Sequence, residues 1–150
     1  MDIDAIFSSL IQEIGYSNNK TVVINKVVMN SKEVEKNNLF VAIRGGNAYA
    51  NEALEKGAFV IYDDNTINLN SNPNSFLVDD SVKFMQKLAH QWRNTLNIKI
   101  IGITGSNGKT TVKDMVFQLL STKYNGKKTE GNYNNHIGLP FTLLRSEKND

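Results

Sequence analysis

The sequence IIGITGSNGKTT, residues 100–111, is the most informative stretch of the chain. It begins with β-branched apolar residues, which favour a strand, and continues into small residues and glycine, which favour a tight loop. Apolar residues then recur at the spacing of one helix face, at Val112, Met115, Val116, Leu119 and Leu120. The predicted order is strand, loop and helix, which is the arrangement of a phosphate-binding site.

The residue types of the loop suit phosphate chemistry. Gly105 and Gly108 lack a Cβ, so the backbone can adopt positive φ and turn its N–H groups toward an anion. Lys109 can reach the outer phosphates of a nucleotide, and the Thr110 hydroxyl is placed to ligate Mg²⁺. We therefore predict Lys109 and Thr110 as catalytic residues and Thr110 as a metal ligand. The predicted ATP-binding residues are Gly105, Ser106, Asn107, Gly108, Lys109, Thr110 and Thr111.

The loop departs from the usual pattern G-x-x-x-x-G-K-[ST] at its first glycine, where this chain has Ile103. We interpret the departure as a variant of the phosphate loop. The alternative is a glycine-rich turn with a merely solvated lysine. The strand and helix patterns on the correct sides of the loop favour the phosphate site.

Composition excludes several classes of protein. The chain has 150 residues, 40% of them hydrophobic, and can form a core. A net charge of +2 is too small to indicate a nucleic-acid or membrane partner, and the absence of cysteine excludes disulfides and thiolate metal sites. The first residues are acidic and no apolar run reaches the length of a membrane span, so we expect a cytoplasmic protein without membrane insertion.

The apolar pattern along the chain predicts an α/β fold in two parts. A first helix ends at Gly15, and a short helix is predicted over residues 48–56. Strands are predicted over residues 21–29, 39–43, 58–62 and 75–78. These elements make a small domain at 1–79. Residues 80–150 then form a bridging helix and the unfinished beginning of a parallel-sheet ATP-binding domain, starting with a strand at Lys99.

Two runs of sequence resemble the Mur ligases: GITGSNGKTT at residues 102–111 and TEGNYNNHIGLPFTLL at residues 129–144. The second run is similar to the Mur ligases that add D-alanyl-D-alanine to UDP-N-acetylmuramoyl-tripeptide. The resemblance implies ATP and Mg²⁺ as cofactors, these two compounds as substrates, and a role in peptidoglycan synthesis. We expect a monomer.

A third run, residues 30–42, aligns without a gap to the Mur ligase pattern D-S-R-x-V-x-x-G-x-L-F-V-A. In that family the loop holds the UDP end of the substrate, which implies substrate contacts from Asn30, Ser31 and Lys32. Asn30, Lys32 and Asn37 replace the aspartate, arginine and glycine of the pattern. Arg44 follows the next strand and is a further candidate for a phosphate contact. Composition alone would favour a solvated loop.

The resemblance also implies roles for the asparagine-rich run before Pro140, which we predict to be an irregular loop. It places Thr129, Asn132, Asn134 and Asn135 near the γ-phosphate and the acceptor substrate. Without the resemblance, a network of asparagine turns with no ligand would be favoured. The loop Asp-Gly-His that relatives carry after the glycines at 45 and 46 is missing, and His136 receives no catalytic role.

The family reaction couples ATP hydrolysis to amide formation through an acyl phosphate, which the amine of D-alanyl-D-alanine attacks. The rest of the central domain and the C-terminal domain of this family are expected beyond residue 150, so we predict a fragment that is inactive alone. Two alternatives remain: a related amide ligase such as folylpolyglutamate synthase, which lacks the UDP-anchoring segment, and a non-catalytic nucleotide-binding module.

Overall fold

A computed structural model describes residues 2–17, 21–130 and 135–147. The helices are α1 (Ile3–Glu13), α2 (Ala50–Glu55), α3 (Ser81–Thr95), α4 (Lys109–Leu120) and α5 (Gly138–Leu144). The strands are β1 (Lys26–Val28), β2 (Asn38–Val41), β3 (Phe59–Tyr62) and β4 (Ser75–Leu77). Two short 3₁₀ turns cover Ser31–Glu33 and Gly46–Tyr49.

The four strands form one parallel sheet in the order β1-β2-β3-β4. Phe40 of β2 lies opposite Val28 on one side and Val60 on the other, which fixes the register of the first three strands. Because all four strands run in the same direction, their carboxyl ends lie at one edge of the sheet. The loops that follow the strands therefore meet at that edge.

The sheet is buried on both faces. Leu39 and Val41 of β2 belong to a core that includes residues of α1 and α3, whereas Phe40 and Ala42 pack with residues of α2 on the opposite face. Side chains of a strand alternate between the two faces, so a strand covered on both sides is apolar at every position. This explains the continuous apolar runs of the sequence and confirms the predicted α/β fold.

Helix α3 connects the sheet to the second half of the described chain. It begins at the Asp80 cap, whose carboxylate accepts a hydrogen bond from the Lys83 N–H at 2.9 Å. Phe84 packs edge-on against Phe7 of α1. On its other side α3 contacts α5, and the Trp92 indole N–H donates to the Ser146 carbonyl at 3.1 Å.

The predicted strand at residues 99–104 is not formed in the described chain. Ile100 and Ile101 are 48% and 58% exposed, and the apolar side chains of Met115 and Leu119 on α4 are 62% and 72% exposed. A parallel strand is stable only with a hydrogen-bonded neighbour and cover on its faces. The described residues offer neither to this segment, so its β-branched composition does not suffice. The strand expected over 21–29 is likewise reduced to Lys26–Val28.

Asn37 explains one departure from the Mur ligase pattern. Its φ is +63°, in the left-handed region, where the pattern has glycine. Its N–H donates to the Gly57 carbonyl at 3.0 Å and its carbonyl accepts from the Asn25 N–H at 2.9 Å, which fixes this conformation. Asparagine tolerates the left-handed region better than other residues with a Cβ. The position therefore keeps the backbone shape without the glycine.

We expect Asn37→Val to lower the free energy of unfolding by about 1–2 kcal/mol, because a β-branched residue is strained at positive φ. Asn37→Gly should change it far less. Urea denaturation followed by circular dichroism measures both. The matched control is Asn65→Val, at an exposed residue that is not among the described positions with positive φ. An equal loss in both valine variants would contradict this explanation.

Candidate nucleotide loop and substrate edge

The loop at residues 105–108 has the backbone shape that its glycines predict. Gly105 has φ +148° and Gly108 has φ +76° with ψ 0°, and Gly108 is the cap residue of α4. The helix begins with the Val112 N–H donating to the Gly108 carbonyl at 2.9 Å. The N–H groups of the first helical turn precede the first such bond and lie at the positive end of the helix dipole. This end of α4 can therefore receive an anion.

Lys109 folds back over the loop. Its ammonium donates to the Gly105 carbonyl at 2.5 Å, which closes the loop with a side chain. The hydroxyls of Thr110 and Thr111 are on exposed residues and have no hydrogen-bond partner within the described part of the chain. One cation and two hydroxyls without a partner among the described residues thus stand at the start of α4, and their predicted roles toward phosphate and Mg²⁺ stay predictions.

Thr129 is held beside the second turn of α4. Its carbonyl accepts a hydrogen bond from the Lys113 ammonium at 2.7 Å, and the neighbouring Lys128 pairs with Asp114 at 2.6 Å. The hydrogen bond from Lys128 lowers the pKa of the Asp114 carboxyl. Thr129 is thereby brought to the helix that follows the loop, and its predicted place near the γ-phosphate stays a prediction.

Asn135 has a structural role in addition to its predicted one. Its side-chain oxygen accepts from the N–H groups of Ile137 at 3.1 Å and Gly138 at 2.8 Å, and α5 begins there. The irregular loop predicted up to Pro140 is therefore wrong from Gly138 onward, because the side chain of Asn135 satisfies the first N–H groups of a helix. Asn132 and Asn134 lie outside the described residues.

The candidate substrate residues Asn30, Ser31 and Lys32 follow β1 at the carboxyl edge of the sheet. Asn30 caps the 3₁₀ turn: its side-chain oxygen accepts from the Lys32 N–H at 3.1 Å and its amide donates to Glu33 at 3.3 Å. The Lys32 side chain is exposed and, in the described ranges, its ammonium has no hydrogen-bond or ion-pair partner. Of the three residues, Asn30 uses its side chain for hydrogen bonds within the turn, and the Lys32 ammonium is available to an anion.

Arg44 follows β2 at the same edge. It has φ +50° and Gly45 has φ +86°, so two successive residues are left-handed, and the Gly46 N–H closes the turn on the Ile43 carbonyl at 2.9 Å. The Arg44 guanidinium is exposed and makes no hydrogen bond or ion pair with any described residue. Since β1 and β2 are adjacent and parallel, the structure brings Arg44 and the 30–32 turn to one edge.

The two groups of candidate residues remain separate. No hydrogen bond or ion pair between described residues links the 30–44 edge to the loop at 105–111. A cleft of about 700 Å³, lined by Trp92, Phe141 and Lys127 among others, includes neither Arg44 nor Lys109. Its four basic residues, Lys26, Lys127, Lys128 and Arg145, each form an ion pair with a carboxylate, so the cleft lacks the character of an anion site.

Comparison with known proteins shows which family the chain resembles. The family model of the Mur ligase middle domain matches residues 103–150, which contain both the loop and the run from 129. The UDP-N-acetylmuramoyl-tripeptide–D-alanyl-D-alanine ligase of Bacillus subtilis (strain 168) is 41% identical over 132 residues, 85% of this chain. The crystal structure of MurF ligase from Thermotoga maritima in complex with ADP is 37% identical, with a TM-score of 0.72 over 86% of this chain. Most of this chain is therefore similar to one part of the Mur ligases, and residues 103–150 match their middle domain.

The chain covers only about a third of the length of the Mur ligases that it matches. The chain spans 29% of the Bacillus subtilis ligase and 31% of the Thermotoga maritima chain. Crystal structure I of MurF from Acinetobacter baumannii, at 22% identity, has a TM-score of 0.79 over 97% of this chain and 33% of its own, which supports the fold alone. No helix in the described ranges is long and apolar enough to cross a membrane.

The carboxyl edge of the sheet also contains two polar residues that the sequence analysis missed. It gave no role to Asn47 or Asp63, whose side chains are hydrogen-bonded to each other at 2.8 Å at the carboxyl edge of the sheet. The two residues are 16 positions apart, and neither lies in a run that resembles the family pattern. The only sequence indication was that Asp63 directly follows a buried strand, where polar residues meet at one edge.

We expect Gly108→Ala to weaken ATP binding to the chain about tenfold. A Cβ at Gly108 would meet nothing within 4 Å, so the penalty comes only from backbone strain at φ +76°, about 1–2 kcal/mol. Isothermal titration with ATP and Mg²⁺ measures it. Gly126→Ala is the matched control, because its Cβ also meets nothing within 4 Å and its φ is not positive. Unchanged affinity in the Gly108 variant would show that this loop shape is not needed.

Proposed function

We propose that this chain is the part of a Mur ligase that holds the phosphates of ATP and the UDP end of the acceptor substrate. The longer protein then adds D-alanyl-D-alanine to UDP-N-acetylmuramoyl-tripeptide in peptidoglycan synthesis. One observation carries the proposal: a loop with two left-handed glycines opens α4 and is followed directly by Lys109, in a chain 41% identical to a ligase with this name.

The loop supplies what phosphoryl transfer needs, which is positioning and neutralisation of charge more than covalent participation. When the phosphates bind, the Lys109 ammonium exchanges the Gly105 carbonyl for a phosphate oxygen. The exposed N–H groups at the start of α4 receive further oxygens. The solved ADP complex of the Thermotoga maritima ligase supports a nucleotide as the ligand.

Thr110 is the residue that would hold Mg²⁺. Its hydroxyl is exposed and has no partner within the described residues, so it is available as an oxygen ligand. No group of three or more histidines or carboxylates suited to a metal ion occurs in the described ranges. Mg²⁺ commonly takes few protein ligands and completes its shell with phosphate oxygens and water. The ion supplies neutralisation of charge on the phosphates when bound.

The carboxyl edge of the sheet is the proposed site for UDP. Lys32 and Arg44 follow adjacent parallel strands and have no ion-pair partner among the described residues, and Ser31 offers a hydroxyl at the start of the 3₁₀ turn. A diphosphate suits two such cations. The family arginine would form a bidentate pair with the phosphate, whereas Lys32 offers a single charge. We therefore expect the contact from Lys32 to be less directional. Asn30 acts by shaping the turn.

The remaining assignments complete the proposal. Thr129 stands beside α4 and is proposed to lie near the γ-phosphate, with Asn132, Asn134 and Asn135 toward the acceptor. In the longer protein, the terminal carboxylate of the tripeptide attacks the γ-phosphate, and the amine of D-alanyl-D-alanine attacks the resulting acyl phosphate. We further propose the domain division at 79/80, a monomer and a cytoplasmic location.

Separate titrations of the chain with UDP-N-acetylmuramoyl-tripeptide and with ATP plus Mg²⁺ test the two halves of the proposal. We expect both to bind. Lys109→Ala should weaken ATP binding about 10- to 100-fold, since a charged hydrogen bond contributes about 1.5–3 kcal/mol, and should leave binding of the UDP compound unchanged. Lys123→Ala, just beyond the other end of α4, is the control. Binding of ATP without the UDP compound would favour a nucleotide-binding module instead.

In the longer ligase, Lys109→Ala should lower kcat by about a hundredfold or more, because the variant lacks the ammonium that would neutralise charge on the transferred phosphate. The residue is at the surface and contributes no core packing, so the melting temperature should change little. A coupled assay for ADP release with both substrates measures turnover. Near-normal turnover would remove Lys109 from the catalytic role proposed for it.

A further inference from the structure

Asn47 and Asp63 form a reciprocal pair at the carboxyl edge of the sheet. The Asn47 amide donates to one carboxylate oxygen of Asp63 at 2.8 Å, and the Asp63 N–H donates back to the Asn47 side-chain oxygen at 3.3 Å. The other carboxylate oxygen of Asp63 accepts from the Ser81 N–H at 3.0 Å. One carboxylate therefore connects three separate segments of the chain.

The three segments are those that surround the Arg44 turn. Asn47 lies in the 3₁₀ turn Gly46–Tyr49, which continues directly from the turn containing Arg44. Asp63 is the first residue after β3, the strand next to β2. Ser81 is the first residue of α3. The pair thus attaches the Arg44 turn to the neighbouring strand end and to the start of the bridging helix.

The Arg44 turn needs such a restraint. A residue with a Cβ in the left-handed region is strained by about 1–2 kcal/mol, and such a conformation persists only where the surroundings fix it. Backbone hydrogen bonds close the turn, from Gly46 N–H to the Ile43 carbonyl at 2.9 Å and from Ala48 N–H to the Gly45 carbonyl at 3.4 Å, but these two bonds do not tie it to a neighbouring strand. The Asn47–Asp63 pair is the side-chain link from this turn to the rest of the sheet.

We propose that the Asn47–Asp63 pair is a positioning device that holds the Arg44 guanidinium where it binds the diphosphate of the UDP-linked substrate. The inference rests on the proposed function of this edge. Asn47 and Asp63 act through the turn and not by touching the ligand.

The position of the pair separates this role from a general contribution to stability. Asp63 is exposed and Asn47 is half-buried, whereas the core beneath them is filled by Phe40, Ala42 and Ala50. Hydrogen bonds between exposed polar side chains add little to folding. Loss of the pair should therefore change the affinity for the UDP compound more than the stability of the fold.

A swap of the two side chains tests the proposal. Asn47→Asp alone sets two carboxylates against each other, and Asp63→Asn alone leaves one oxygen to serve both Asn47 and the Ser81 N–H. In the double variant Asn47→Asp/Asp63→Asn, the amide at position 63 donates to the carboxylate at position 47. The side-chain oxygen at position 63 still accepts from the Ser81 N–H. The backbone N–H of residue 63 still donates to a side-chain oxygen at position 47. All three hydrogen bonds are thereby retained.

Affinities are measured by calorimetry with UDP-N-acetylmuramoyl-tripeptide and separately with ATP plus Mg²⁺. Each single variant should bind the UDP compound about tenfold more weakly, because the competent turn is less populated, and the double variant should return to within about threefold of the unsubstituted chain. Affinity for ATP should not change. Asn51→Ala, an exposed asparagine bonded to Glu55 in α2, is the control and should bind normally.

The outcomes separate this inference from the proposed function. If the unsubstituted chain binds the UDP compound and neither single variant is weakened, the positioning role is wrong and the proposed function stands. Failure of the swap to restore affinity would also overturn it. If the unsubstituted chain does not bind the UDP compound, the proposed function of the edge fails, and this inference fails with it.

Discussion

Hydrogen bonding between neighbouring parallel strands is the interaction on which the rest of this structure depends. From β1 to β4 each strand is paired, and the apolar runs of β2 and β3 are covered on both faces. Such a ladder forces all four carboxyl ends to one edge. Residues 99–104 have similar composition but no neighbour among the described strands, and they form none. Apolar, β-branched composition favours a strand, but the strand forms only where a neighbouring strand can pair with it.

The two anion sites that we propose have different physical bases. At the edge of the sheet, Lys32 and Arg44 present side-chain charge from adjacent strand ends. At the start of α4, backbone N–H groups and the helix dipole provide the attraction, and Lys109 adds one mobile charge. The first site needs its loops held in place. The second depends on nearby residues alone, the glycines with positive φ and Lys109.

Much of this arrangement could be predicted from local sequence. Gly15 and Gly57 end helices with positive φ, Asp80 caps α3, and Gly108 starts α4, because each of these features depends on a few adjacent residues. The Asn47–Asp63 pair could not be predicted in this way, since it depends on two strand ends meeting in space. The helix-starting role of Asn135 was missed because asparagine serves turns and caps alike.

We propose that ATP is recognised by the backbone between Gly105 and Thr110, and the rest of the proposed ligase reaction depends on this recognition. The most direct measurement is a titration of the ¹⁵N-labelled chain with ADP and Mg²⁺, followed by amide NMR shifts. We expect the largest changes in amide shift at residues 105–111, and no change at the edge residues 30–32 and Arg44. Shifts that are absent from the loop, or that are largest elsewhere, would contradict this proposal.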